Sequence, residues 1–113
     1  MRRGSIWWVD LGEPQGSGPG FERPCVIVSA KDFNDSSLAT VIIVMLTSNL
    51  KYSDQPGNFR VPTSQTGLDR PSVLLISQIF TVDRRKLLGK IGRLPDDLVQ
   101  KLNASLKLVL GLT

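Results

Sequence analysis

Residues Thr40-Val41-Ile42-Ile43-Val44-Met45-Leu46 form an apolar, largely β-branched run with no alternation between apolar and polar positions. Successive side chains of a strand point to opposite faces, so this segment reads as a strand that is covered on both sides and lies inside a sheet. The rest of the chain has to supply both covers. Residues 5–11, 24–29, 58–61 and 72–79 read as further strands, rich in aromatic and β-branched side chains and bounded by glycine, proline and asparagine turns. Trp7 and Trp8 then face opposite sides of the first strand. The polar segments 31–37, 51–57 and 63–67 read as connections. Residues 83–88 predict a single helical turn with Asp83 as N-cap, and residues 90–94 a short returning strand. Pro95-Asp96-Asp97 opens a helix with acids at its positive dipole end, Leu98, Leu102, Leu106 and Leu110 recur every four residues, and Gly111 ends it. That stripe reads as core or as a dimer seam. The pattern is mainly β: a small, strongly curved β-barrel with a C-terminal amphipathic helix.

A chain of 113 residues is one domain, here residues 1–113. No apolar run approaches the roughly 20 residues that cross a bilayer, and Ile6-Trp7-Trp8-Val9 is too short for a secretory core, so the expected location is cytoplasmic and no membrane partner is expected. The net charge of +4, with a pI near 9.6, favours an anionic partner such as nucleic acid. The sequence contains no histidine, which excludes a histidine base, a histidine-paired nucleophile and a histidine zinc site. It has neither a phosphate-binding loop nor a dinucleotide fingerprint, so no cofactor and no metal are expected. The single cysteine, Cys25, lies in an apolar run and reads as a small buried hydrophobe.

Chemistry is best placed where Glu22-Arg23 opens onto Pro24-Cys25-Val26-Ile27-Val28. Proline lacks an N–H and forces the preceding residue into an extended conformation, so Arg23 is expected at the end of a loop, outside the sheet ladder. Upstream, Gly12-Glu13-Pro14-Gln15-Gly16-Ser17-Gly18-Pro19-Gly20-Phe21 reads as a loop whose backbone N–H groups suit closing over an anion. From the residues alone, Arg23 reads either as part of a phosphate site or as a solvated charge at a strand edge.

Taken in order, Arg3-Gly4-Ser5-Ile6-Trp7-Trp8-Val9-Asp10, Gly16-Ser17, Arg23-Pro24, Leu46-Thr47-Ser48 and Ser77-Gln78-Ile79-Phe80-Thr81-Val82-Asp83 resemble the MazF/PemK-type toxins over nearly the whole chain. The resemblance implies an SH3-like (PemK/CcdB-type) barrel and a homodimer. It also implies a ribosome-independent endoribonuclease that cuts single-stranded RNA at short sequences and is inhibited by a cognate antitoxin, with DNA contacted only through the antitoxin complex. By the same resemblance Arg23 and Thr47 carry catalysis. A planar guanidinium can hold a phosphate and a hydroxyl can add a hydrogen bond, which fits those roles. The loop reads Gly16-Ser17-Gly18-Pro19 where Gly-Ser-Glu-Gln is common in the family, and Ser77 precedes Gln78 where many members carry an acid. Those departures leave the general base unassigned, with Glu22 as a candidate catalytic or orienting carboxylate.

RNA reading is expected from Gly16, Ser17, Gly18, Ser48, Asn49 and Gln78, whose amides and hydroxyls can address base edges. For Gln78, tying the sheet edge to a turn is an equal alternative. Without a histidine to activate water, the 2′-OH of the substrate is the expected nucleophile. Two other functions of the same fold compete: a CcdB-like toxin that poisons a topoisomerase through its C-terminal end, and a non-catalytic nucleic-acid or protein adaptor. The first would place function at Gly111-Leu112-Thr113, and neither requires Arg23 and Thr47. The antitoxin is expected to land on a basic groove around those two residues.

Overall fold

The computed structural model describes residues 1–13 and 21–112. Six strands, β1 (Ser5–Asp10), β2 (Glu22–Ile27), β3 (Thr40–Thr47), β4 (Phe59–Val61), β5 (Ser72–Asp83) and β6 (Leu87–Arg93), precede the C-terminal helix α2 (Asp96–Leu110). A one-turn helix α1 (Lys31–Asn34) joins β2 to β3, and 3₁₀ turns occupy Leu50–Asp54 and Arg84–Lys86. The strands form one antiparallel sheet in the order β4-β5-β3-β2-β1-β6, curled into an incompletely closed barrel of the SH3-like type.

The order puts β3 inside the sheet, where its unbroken apolar run belongs. Val44 and Leu46 point into one buried cluster, which β2 joins through Val26 and which α2 closes with Leu98 and Leu102. Ile43 and Met45 point the other way, into a second cluster with Val9, Cys25 and Ile27. At about 25 cal/mol per Å² of apolar surface removed from water, burial on both faces makes β3 a main contributor to the core. Trp7 packs against the second cluster, while Trp8 turns outward and is 41% exposed.

Two expectations require correction and a third is refined. Arg23 lies within the ladder, since β2 begins at Glu22 and Arg23 pairs with Val9 of β1. Pro24 is tolerated there because β2 pairs with β3 only from Cys25 onward, so the proline stands beyond the end of that second ladder. The strand expected over 72–79 continues to Asp83: β3 residues Val44 and Met45 face Ile79 and Leu75, so the intervening residues Ile76, Ser77 and Gln78 bulge out of register and pairing resumes beyond them. Finally, the leucine stripe divides. Leu98 and Leu102 are core, Leu106 is half-buried, and Leu110 is exposed beyond the reach of the sheet. Gly111 closes α2 in the left-handed region at φ 70°, with the Leu112 N–H donating to the Lys107 carbonyl at 2.8 Å.

Candidate functional site

The β2–β3 ladder ends at the pair Cys25 and Met45. Two residues further along each antiparallel strand stand Arg23 and Thr47, so the register carries them to facing positions on one side of the sheet, where the strands have parted. Both line a groove of about 510 Å³ at this end of the sheet. The sequence separates them by more than twenty positions, and strand pairing brings them together.

Thr47 is 8% exposed, and its Oγ1 accepts the Asn49 N–H at 3.2 Å. With that lone pair occupied, the hydroxyl proton is directed elsewhere and can donate to an oxygen in the groove. Arg23 is exposed, and among the described residues neither it nor Glu22 forms an ion pair. The five N–H donors of the guanidinium are therefore available to an anion. Glu22, in register with Asp10 at the start of β2, lines the same groove, as does the exposed Ser48.

Other candidate residues lie elsewhere. Asn49 does not line the groove; its Oδ1 accepts the Lys51 N–H at 3.1 Å and so caps the following 3₁₀ turn. Gln78 sits in the β5 bulge, away from the groove lining, and its Oε1 is shielded from solvent without a hydrogen-bond partner. Gly16, Ser17 and Gly18 lie outside the described residues.

The groove also holds residues that the sequence patterns did not single out. The segment after β4 crosses the backbone of β6 and delivers Gly67, Leu68, Asp69 and Arg70 to the same groove. Thr66 anchors that segment: it is fully buried, and its hydroxyl reaches the Pro62 carbonyl at 2.6 Å. Trp8 forms part of the wall from β1. The signal for Asp69 and Arg70 was an opposite-charge pair between two turn residues, Gly67 and Pro71, a pattern too common to mark a site. Among the described residues, the charged lining is Glu22, Arg23, Asp69 and Arg70, two of each sign, so the expected basic groove is a charge-balanced one there. Positive charge gathers instead around Arg2, Arg3, Lys90 and Arg93, at the end of β6 beside the start of β1.

Cys25 takes no part in the site. It is fully buried between Trp7 and Met45 in the strand register, and burial pushes its thiol pKa up to about 12, well away from a reactive thiolate. Asp83 is held down to about 2, first by the hydrogen bond from the Arg85 side chain, and its role is local: it caps the turn into β6.

The chain and its fold have known relatives. Residues 2–110 match the family of PemK-like, MazF-like toxins of type II toxin–antitoxin systems. The chain is 37% identical to endoribonuclease MazF2 of Mycobacterium bovis, over 99% of its own length and 98% of that protein. It is 30% identical to endoribonuclease EndoA of Bacillus subtilis, over 99% and 96% of the two chains. Among solved structures, a mycobacterial endoribonuclease in complex with its cognate antitoxin superposes with a TM-score of 0.78 at 26% identity, covering 100% of this chain and 95% of that one. MazF of Deinococcus radiodurans shares the fold with a TM-score of 0.81 at 20% identity, over 98% and 96% of the two chains.

Proposed function

This chain belongs to the PemK-like, MazF-like toxins of type II toxin–antitoxin systems, and from that premise we propose that Arg23 and Thr47 form the site at which it cleaves single-stranded RNA. As a MazF-type member it is an endoribonuclease toxin, and RNA is its substrate. The observation that carries the assignment of the site is the register: two strand ends that part beyond Cys25 and Met45 set a guanidinium and an oriented hydroxyl across one groove.

The chemistry follows from these groups. The ribose 2′-OH on the 5′ side of the scissile bond loses its proton and attacks the phosphorus, a phosphorane forms, and the 5′-oxygen of the next nucleotide leaves with a proton taken up from solvent; water then opens the cyclic phosphate where a 3′-phosphate results. Arg23 neutralises charge on two non-bridging oxygens through its planar fork, and Thr47 donates its hydroxyl proton to one of them. The products are a 2′,3′-cyclic phosphate, or its opened 3′-phosphate, and a 5′-hydroxyl. No divalent ion enters this scheme. Glu22 orients Arg23 or assists proton removal from the 2′-OH. Ser48, with Gly16, Ser17 and Gly18 from the preceding loop, contacts the RNA at a defined short sequence, independently of the ribosome. Asn49 contributes through its support of Thr47 and its turn, and Gln78 through the β5 bulge.

The active form is a homodimer, a reading supported by the uncovered apolar C-terminal end of α2 and the residues after it, where Leu108, Leu110 and Leu112 are 64%, 57% and 59% exposed; its place of action is the cytoplasm. The mycobacterial relative is solved with its cognate antitoxin. An antitoxin segment that engages Arg23 and Arg70 would exclude RNA sterically, and DNA would be contacted only through that complex. The test is to incubate purified protein with a long single-stranded RNA in EDTA and sequence the cut ends. Cutting at one short sequence, lost in Arg23→Ala and Thr47→Ala, supports the reading. RNA that is bound and never cut would return the adaptor alternative.

A further inference from the structure

Trp8 is placed unusually for a residue of its size. On β1 it stands directly between Pro24 of β2 and Gly89 of β6 in the strand register. Pro24 gives it one low neighbour, and Gly89 gives it none, since a Cβ added at Gly89 would meet nothing within 4 Å. The indole is therefore open beside β6, in line with its 41% exposure on a strand paired on both sides. On one side it borders the groove that holds Arg23 and Thr47. On the other it walls a smaller pocket of about 230 Å³, whose remaining lining is Leu88, Gly89 and Glu22.

Each of these groups has a reason to be there if a flat aromatic ligand enters. An exposed indole offers a face on which any base can stack, and Gly89 lets the ligand come close to the backbone. Leu88, 51% exposed, supplies an apolar flank that otherwise faces water. Glu22 lines both the groove and this pocket, and an ionised carboxylate is acceptor-only, so it pairs with a ligand edge that donates. Among the bases, cytosine, adenine and guanine present an exocyclic amino group at the edge, whereas the one Watson–Crick donor of uracil, N3–H, lies between two carbonyl oxygens that repel a carboxylate.

We propose that the pocket between Trp8, Leu88 and Gly89 is a nucleobase subsite next to the scissile phosphate, where an amino-bearing base stacks on the Trp8 indole and donates a hydrogen bond to the Glu22 carboxylate. The inference rests on the cleavage site proposed above, because that site fixes which phosphate lies next door. It makes Trp8 a determinant of which sequence is cut and gives Glu22 a base-reading role.

The test separates binding from chemistry. A Trp7→Phe variant leaves Trp8 as the sole tryptophan, and its fluorescence is titrated with an oligonucleotide that carries the mapped cut sequence and a single 2′-deoxy sugar at the cut site. Quenching is expected, together with a ten- to hundredfold loss of affinity in Trp8→Ala and near-normal affinity in Trp8→Phe. On cleavable RNA, Glu22→Gln should relax the base requirement at one position flanking the cut, and replacing that base by uracil should raise KM in the parent but little in the variant. Absence of quenching, unchanged affinity in Trp8→Ala, or a Glu22→Gln variant that lowers kcat equally on all sequences with the cut site unchanged would each overturn the proposal. If instead the Arg23 site were wrong, Arg23→Ala would still cut while the quenching persisted, so the two failures are distinguishable.

Discussion

Gly92 of β6 lies under Thr66 so closely that a Cβ added to it would sit 1.9 Å from the Thr66 carbonyl oxygen. The same crossing leaves no room at Gly67, at φ +83°, where a Cβ would come within 2.3 Å of the Ile91 carbonyl oxygen. Two backbones touch here because both residues lack side chains, and the contact carries the segment with Asp69 and Arg70 over the edge of the barrel.

Gly92→Ala therefore requires backbone movement and should destabilise the fold by about 2–4 kcal/mol, lowering the melting temperature by roughly 10 °C. Gly89→Ala, on the same strand but in open space, should change it by under about 1 kcal/mol. Thermal melts of the two variants compare the positions directly, and equal melting temperatures would contradict the close crossing.

Cys25 provides a second check on the core. In the folded chain its thiol is pushed up to about 12, from an ordinary value of 9.0. Burial favours the neutral form, so the stabilising contribution is complete below about pH 9 and is lost as pH rises from 9 towards 12. Parent and Cys25→Ala should accordingly converge in relative stability over that window. At pH 8 a thiol reagent should leave the native protein unmodified and react fully once denaturant is added.

These cases show what the sequence could reveal and what it could not. The unbroken run from Thr40 to Leu46 required coverage on both faces, and the two buried clusters on either side of β3 are that coverage. Helix α2 and its terminating Gly111 were equally legible, because caps and a four-residue repeat are local signals. The strand β5 was read through Ser77-Gln78 but ended at Ile79, four residues early, because the pairing of residues 80–83 with the start of β3 is a long-range contact that local spacing does not mark. Arg23 and Thr47 were visible one at a time and through family resemblance, but their facing positions depend on register. Asp69 and Arg70 enter the groove only because distant segments cross, and Trp8 because β1 pairs beside Pro24; no local spacing encodes either.

Lysine at position 23 keeps the charge and loses the planar fork, so Arg23→Lys should behave much like Arg23→Ala. Either change should reduce kcat by roughly two to four orders of magnitude, on the scale of a lost oxyanion contact. Thr47→Ser should retain most activity, and Thr47→Ala should fall by a comparable factor. Single-turnover cleavage rates on one RNA, with binding measured in parallel, distinguish loss of chemistry from loss of affinity.

The exposed end of α2 predicts assembly. Replacing Leu108, which is 64% exposed, by Glu puts a charge into the proposed twofold seam with little effect on the barrel core. The parent should sediment as a dimer at micromolar concentration and Leu108→Glu as a folded monomer. A parent protein that is monomeric and fully active would contradict the dimer.

The central claim is that the substrate's own 2′-OH is the nucleophile at the Arg23–Thr47 groove, and one modified RNA tests it. A 2′-deoxy sugar is placed just 5′ to the scissile phosphate in an otherwise unaltered substrate, and cleavage is followed in EDTA. The account predicts that cutting at that bond is abolished while binding is almost unchanged, and that unmodified RNA yields 5′-hydroxyl and 2′,3′-cyclic or 3′-phosphate ends. Cutting of the 2′-deoxy substrate at the normal rate, or ends carrying 5′-phosphate and 3′-hydroxyl, would contradict it.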